Sequence, residues 1–361
     1  MQTLERSRAL AASVTVALLA GCSSGSTSSP LSSLPAQSAA HKPAQGLSRS
    51  ELLAETLLVK PGLAALHLGG VGHDVINATA CFTGVAIVGD AATDQLYKLT
   101  PKGKLTPFGP SNLGLSEPQG LAVDKSGNVY IADTANARIV VLTKKGALLE
   151  ILNDPGQYPA GVAVAPNGTV GVTNIISQSG GAGSISFYTP GATSPTSSAS
   201  GVLSEDYFIG ADSDDNFYFD GFDASTGAIT IATANPNSGT VTNTGIDTSG
   251  YSFPGGVQVI QSGRGKKAVQ TLNVGDQSGL VVYQYALPGY TPGAKISLGG
   301  GSDEVDFALT KNLKYVGSSD AGLGQLETWS WPAGGSSPLC VLGTGGFTEP
   351  IGVAFIPTGD E

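Results

Sequence analysis

Past residue 60 the chain alternates short apolar runs with clusters of Gly, Pro, Asn, Asp and Ser, and helical periodicity is nearly absent. The pattern is sharpest between Pro118 and Leu142. Leu121-Ala122-Val123 meets the turn Asp124-Lys125-Ser126-Gly127-Asn128, and Val129-Tyr130-Ile131-Ala132-Asp133 runs back from it. Thr134-Ala135-Asn136-Ala137 turns again, and the chain leaves through Arg138-Ile139-Val140-Val141-Leu142. Gly127 supplies the positive φ that a tight hairpin needs, and Asn128 tolerates the same region. Val129 and Ile131 alternate with Tyr130 and Ala132, which gives the middle strand two packable faces. Three antiparallel strands of one sheet are predicted, with Asp133 and Arg138 placed to pair across the second turn.

The Pro-x-Gly that opens this pattern starts at Pro118, Pro159, Pro254 and Pro350. The first interval is one unit, and the next two are each about two units, of a repeat of roughly 45 residues. Weaker copies fill the gaps, one through Asp212-Ser213-Asp214-Asp215-Asn216 to Asp220, the other through Val305, Phe307, Leu309, Tyr315, Val316 and Asp320. After Pro350 a single strand remains, from Gly352 to Ile356. Near the other end, Val85 to Asp90 aligns without a gap on Asn128 to Asp133, and Leu96 to Leu99 falls on Ile139 to Leu142.

On its matches at Pro-x-Gly, Asp-x-x-Gly-Asn, Ala-Asp and Asn-x-Arg, the segment Pro118 to Leu142 resembles an NHL repeat, a blade unit of β-propellers. The resemblance extends loosely over residues 82 to 357 and implies an all-β, six-bladed propeller. One blade would take its innermost strand from the C-terminus and its outer strands from the N-terminal part, a closure that removes free sheet edges. The 51 glycines in 361 residues are about double the usual ~7% share, as many short strands joined by turns require. The expected propeller domain is 61–361.

At the N-terminus, Arg6 and Arg8 precede an apolar run from Ala9 to Ala20 that is too short for a retained bilayer span. It ends in Leu19-Ala20-Gly21-Cys22, which resembles a bacterial lipobox. The resemblance implies a lipoprotein signal peptide over 1–21 and lipidation of Cys22, with acyl chains such as palmitate holding the protein to membrane lipid. From Ser23 to about Ser50 the chain is rich in Ser, Pro, Ala and Gln, and residues 22–60 are expected to form a flexible, disordered tether. Ser23 stands where an inner-membrane retention signal would favour Asp, so the expected location is the cell envelope, at the outer membrane, facing either periplasm or exterior.

The formal net charge is −10, and loss of Glu5, Arg6 and Arg8 with the leader makes it one unit more negative. Lys144-Lys145 and residues 264–267 are short basic clusters rather than a stripe, so nucleic acid is not an expected partner. His41, His67 and His73 all precede the first blade strand. A Ser-His-Asp arrangement or His-bound zinc inside the ring is therefore excluded, and NHL-type lyases that hold zinc through histidines are a poor match. With Cys22 assigned to lipid, Cys81 and Cys340 remain. An exported setting invites a disulfide clasping the seam of the ring, against which stands the separation of strands in adjacent blades. Trp329 and Trp331 share one face of a strand and are expected to pack between blades.

Residues leading into innermost strands sit at one mouth of a propeller channel, where propellers usually bind ligands. Here they include Glu117, Glu205, Asp206, Asp303, Glu304 and Glu349, with Asp306 one step inside. Such carboxylates offer oxygen ligands to a hard divalent cation such as Ca²⁺, with Asp303 and Glu349 the first candidates. Gluconolactonase-like propellers hold such a metal and place a key Asp at the x of a Pro-x-Gly, whereas here x is Gln119, Ala160, Gly255 or Ile351. Two functions remain open. One is a membrane-anchored extracytoplasmic scaffold, monomeric in its propeller and without a required cofactor, that binds a protein, peptide or glycan. The other is a metal-dependent hydrolase of the lactonase type, with no catalytic residue identified. The departure at x and the thin acid–base inventory of the ring favour binding. Cys22→Ser should abolish labelling by a radioactive fatty acid and leave unprocessed precursor; labelled mutant protein would contradict the lipobox.

Overall fold

The computed structural model describes residues 81–263 and 268–357. The expected signal peptide, Cys22, the tether and the three histidines lie outside the described residues, as does the short basic segment 264–267. Among the described residues the chain forms six four-stranded antiparallel sheets, with one short 3-10 turn at Thr134–Asn136 as its helical element. No helix among them is long and apolar enough to cross a membrane.

The first complete blade runs outward through β4 (Pro118–Val123), β5 (Val129–Asp133), β6 (Arg138–Leu142) and β7 (Leu148–Asn153). The second, third, fourth and fifth blades repeat this order from innermost strands β8 (Gln157–Val164), β12 (Leu203–Ala211), β16 (Pro254–Ser262) and β20 (Glu304–Leu309). The closing blade is composite: β24 (Pro350–Ile356) is innermost and pairs with β1 (Val85–Asp90), followed by β2 (Gln95–Leu99) and β3 (Leu105–Pro107). Its register sets Val85 opposite Ile356 and Val88 opposite Val353, the mixing of termini that the alignment of Val85 to Asp90 on the first blade predicts. The innermost strands touch in the circular order β24, β4, β8, β12, β16, β20 and back to β24, so the ring is shut.

Each blade buries its faces against its neighbours, and the core accordingly divides among the blade interfaces. Val85, Ile87 and Ala354 of the closing blade meet Val129, Ile131 and Val140 of the first. Phe187 of the second blade packs on Phe217 of the third with ring centroids 5.3 Å apart. Trp329 and Trp331 are buried with Val282 and Ile296, between the fifth and fourth blades as their spacing predicts. The hairpin at Asp212 to Asn216 repeats the side-chain hydrogen bonds of the one at Asp124 to Asn128. In both, Asp Oδ1 accepts two backbone N–H groups at 2.8 Å, from Ser126 and Asn128 or from Asp214 and Asn216.

Blade-to-blade latches reinforce the apolar interfaces. Thr134 Oγ1 donates to Pro159 O at 2.7 Å, Thr173 Oγ1 to Tyr207 O, and Ser319 Oγ to Ile351 O. Cys81 and Cys340 are joined in a disulfide with Cα atoms 5.5 Å apart, tying the segment before β1 to β23 (Cys340–Leu342), the outermost strand of the fifth blade. The bond clasps the same seam that β24 closes. Deleting residues 350–361 should abolish cooperative unfolding, because it strips the closing blade of its innermost strand. Cys340→Ser should keep the far-ultraviolet dichroism and cost about 2–4 kcal/mol in denaturant unfolding. A truncated form with the wild-type midpoint would contradict this closure.

Candidate functional site

The mouth of the channel is built where the second strand of each blade ends and the innermost strand begins. In four blades the aspartate that ends the second strand faces the mouth loop: Asp90 on β1, Asp133 on β5, Asp276 on β17 (Val269–Asp276) and Asp320 on β21 (Tyr315–Asp320). Asp223, which ends the second strand of the third blade, instead caps its own turn at Ser225 N and Thr226 N. Each of the four mouth-facing carboxylates accepts backbone N–H groups from the loop leading into its own innermost strand. Asp90 takes Thr348 N at 2.7 Å, Asp133 takes Ser116 N at 2.7 Å, Asp276 takes Ser252 N at 3.0 Å and Asp320 takes Ser302 N at 2.7 Å. An ionised acceptor strengthens such bonds, so these aspartates act as clamps on the mouth loops. Asp133 is also paired with Arg138, Nε to Oδ2 at 2.6 Å, while Arg138 donates onward to Leu113 O at 2.9 Å. Burial pushes the carboxyls of Asp133 and Asp276 above their ordinary range, against the lowering by these donors.

The mouth carboxylates singled out in the sequence fall into separate groups. Glu117, held at φ 55° with its N–H on Asp94 Oδ1 at 2.8 Å, lies beside Glu349 at the seam of the closing and first blades. Burial, then the charges of Asp90 and Glu117, push the Glu349 carboxyl up to about 7. Asp206, 2% exposed, is held well above the carboxylate range by burial and by Asp220 and Glu205. Glu205 accepts the Tyr207 hydroxyl at 2.5 Å, and Asp220 accepts Phe208 N at 2.9 Å and Gly255 N at 3.0 Å. Asp303 accepts Gln277 Nε2 at 2.8 Å. Glu304 turns into its own blade towards Asp320 and Glu327. The proposed cation pair, Asp303 and Glu349, is thus split between two neighbourhoods. Among the described residues, the carboxylates whose oxygens converge within 4.8 Å are Glu304, Asp320 and Glu327.

The channel itself is narrow and plain. A cavity of about 200 Å³ is walled by Gly120, Gly161, Phe208, Gly210, Gln258 and Asp306. Asp306 Oδ2 accepts Val353 N at 3.3 Å, and burial pushes its carboxyl up to about 8. Lower down, at the hairpin ends of the innermost strands, a second space of about 310 Å³ is flanked by Lys125 and Lys311.

Sequence reading missed the clamp. Its signal was present in Val88-Gly89-Asp90, Ile131-Ala132-Asp133, Val274-Gly275-Asp276 and Ser318-Ser319-Asp320, each an aspartate closing a second strand. Read alone, Asp133 suggested only its ion pair with Arg138.

A carboxyl raised in the native state favours folding at low pH, and that advantage is lost as pH climbs from the unfolded value, near 4, through the native one. Glu349→Gln should therefore stabilise the protein by about 0.5 kcal/mol at pH 8 and leave it unchanged at pH 4, the half-exposed setting keeping the effect small. Carbon-detected NMR titration should place the Glu349 midpoint near 7 and show it falling in Glu117→Gln. A Glu349 midpoint in the ordinary carboxylate range would contradict the crowding of these groups.

Comparison with known proteins supports the same architecture. The NHL repeat family matches residues 115–142. Among curated proteins no sequence matches the chain. Among solved structures, the nidogen/laminin complex contains a chain that superimposes with a TM-score of 0.59 at 15% identity, covering 75% of this chain and 98% of that one. A protein of unknown function from Bacteroides caccae superimposes at 0.53 with 13% identity, covering 76% and 100%. A catalytically inactive virginiamycin B lyase from Staphylococcus aureus, solved with quinupristin, gives 0.48 at 17% identity over 78% and 92%. The chain is a six-bladed β-propeller whose first complete blade matches the NHL repeat.

Proposed function

We propose that this propeller is a binding module, carried at the bacterial envelope by acylated Cys22, whose acidic mouth takes a protein or peptide partner rich in Lys and Arg. The observation that carries the reading is the use of the mouth carboxylates. Asp90, Asp133, Asp276 and Asp320 are engaged by backbone N–H groups, so they shape loops rather than face a reacting bond. Glu117, Asp303 and Glu349 remain half-buried at the rim and give it negative charge. Charge of one sign around a concave face steers partners of the opposite sign. The same fold stands in a nidogen/laminin complex, where its partner is a protein.

The hydrolase reading draws on Asp306 and Glu349, whose carboxyls burial pushes up to about 8 and about 7. Burial holds Asp306, and burial with crowding holds Glu349. The Ser318 and Ser319 hydroxyls beside Asp306 are committed to the backbone carbonyls of Asp306 and Ile351, and no histidine lies among the described residues. The deciding experiment passes basic, neutral and acidic peptides and neutral glycans over the immobilised protein. Basic peptides should be retained at ~50 mM salt and released by ~500 mM, as screening shortens the reach of exposed charges. Glu117→Gln with Glu349→Gln should weaken retention about tenfold, roughly 1.4 kcal/mol. Retention of glycans alone, or turnover of lactone substrates by wild-type protein, would overturn the proposal.

A further inference from the structure

One carboxylate group behaves unlike the clamps. Inside the fifth blade, Glu304 from β20, Asp320 from β21 and Glu327 from β22 (Gln325–Ser330) bring carboxylate oxygens within 4.8 Å of one another. The three residues are 5%, 0% and 1% exposed. Asp320 is well supplied with donors, from Ser302 N, Ser302 Oγ and Leu323 N at 2.7, 2.8 and 2.9 Å. Glu304 is not: the nearby Ser318 hydroxyl donates to Asp306 O at 2.7 Å, and neither Glu304 oxygen meets a donor in hydrogen-bond geometry. Glu327 accepts Gln325 Nε2 at 2.7 Å on Oε1, but its buried Oε2 also lacks a partner.

A buried carboxylate without donor or counter-charge is among the costliest groups a fold can hold. Three converging ones require positive charge between them. One proton shared by Glu304 and Glu327 would leave two negative charges and one orphan oxygen in place. A divalent cation at the centre would meet all of them together. The loop above leaves that space open. A Cβ on Gly301 would lie 2.0 Å from Glu304 Oε1 and 3.0 Å from Asp320 Oδ2, so a side chain there would fill the point of convergence. The Gly299-Gly300-Gly301 run thereby gains a purpose beyond turning the chain.

We propose that Glu304, Asp320 and Glu327 form a Ca²⁺ site inside the fifth blade, binding its three inner strands to one another. The donors are all oxygen, which suits a hard cation and not the metals that select nitrogen or sulfur. The Gln325 amide, turned over so that its oxygen faces the centre, adds a neutral ligand. Mg²⁺ keeps several waters and demands a near-octahedral shell, and this enclosed position leaves little room for them. The site lies inside the fifth blade beneath its mouth loop and shares none of Glu117, Asp303 and Glu349, so it stands apart from the partner-binding reading.

The test uses the full-length protein, stripped with a chelator and titrated with CaCl₂ by calorimetry and thermal unfolding. One Ca²⁺ should bind per chain with half-saturation below about 1 mM. At saturation the melting temperature should rise by roughly 5 °C, because the ion binds only the native state. Glu327→Gln should weaken Ca²⁺ at least tenfold and lose the rise, while Glu349→Gln at the mouth should keep both. Should Glu327→Gln fail to fold, Glu304→Gln serves in its place, and terbium luminescence excited through Trp329, two residues along β22, reports occupancy in wild type. Wild-type protein that binds no Ca²⁺ and shows an unchanged melting temperature would overturn the site and leave the trio to a proton. A Ca²⁺ effect that survives both glutamine variants would overturn it as well.

Discussion

The ring depends on how closely the innermost strands of neighbouring blades approach at a few glycines. A Cβ on Gly352 would stand 2.0 Å from Gln119 O, one on Gly120 2.6 Å from Ala160 O, and one on Gly161 2.6 Å from Tyr207 O. The contact recurs between the fourth and fifth blades, where a Cβ on Gly256 would lie 2.7 Å from Phe307 N. None of these four glycines has positive φ, so the requirement is space rather than backbone conformation. Where strands come this near, short hydroxyl latches can reach the next blade, as Thr134 does to Pro159 O. The apolar clusters then close behind them, and the channel is left narrow.

The acidic character of the chain follows from a second device layered on the first. Loops that enter the innermost strands present backbone N–H groups with no strand partner, and buried donors of that kind must be met. Asp90, Asp133, Asp276 and Asp320 meet them, at a geometry that a neutral side chain would fill less strongly. Most buried carboxylates near the mouth thus have a structural explanation. Glu304 and Glu327 are the contrast, because both oxygens of the first and Oε2 of the second converge without donors.

Much of this architecture was legible in the sequence because its marks are local. Pro-x-Gly announces an innermost strand, and the Asp-x-x-Gly-Asn turn announces the hairpin after it. The closing blade could be read because Val85 to Asp90 aligns without a gap on Asn128 to Asp133 of the first blade and likewise ends in aspartate. The site was less legible. Glu304, Asp320 and Glu327 lie on three successive strands, so hairpin register rather than spacing unites them. The grouping of Glu349 with Glu117 depends on ring closure across the seam, and Asp303 is drawn instead to Gln277. The glycine of Pro-x-Gly was visible, but its reason, the backbone of the next blade, was not.

The close approach is tested most directly by the unfolding free energy of Gly352→Ala. At an uncrowded strand glycine of ordinary φ, alanine lowers the entropy of the unfolded chain and stabilises by about 0.4–1 kcal/mol. Here the new Cβ would meet Gln119 O at 2.0 Å, and that backbone atom cannot move aside without opening the contact between the closing and first blades. The substitution should therefore destabilise by about 2–3 kcal/mol, in the range of overpacking a tight interior. A Gly352→Ala protein as stable as wild type, or more so, would contradict the account.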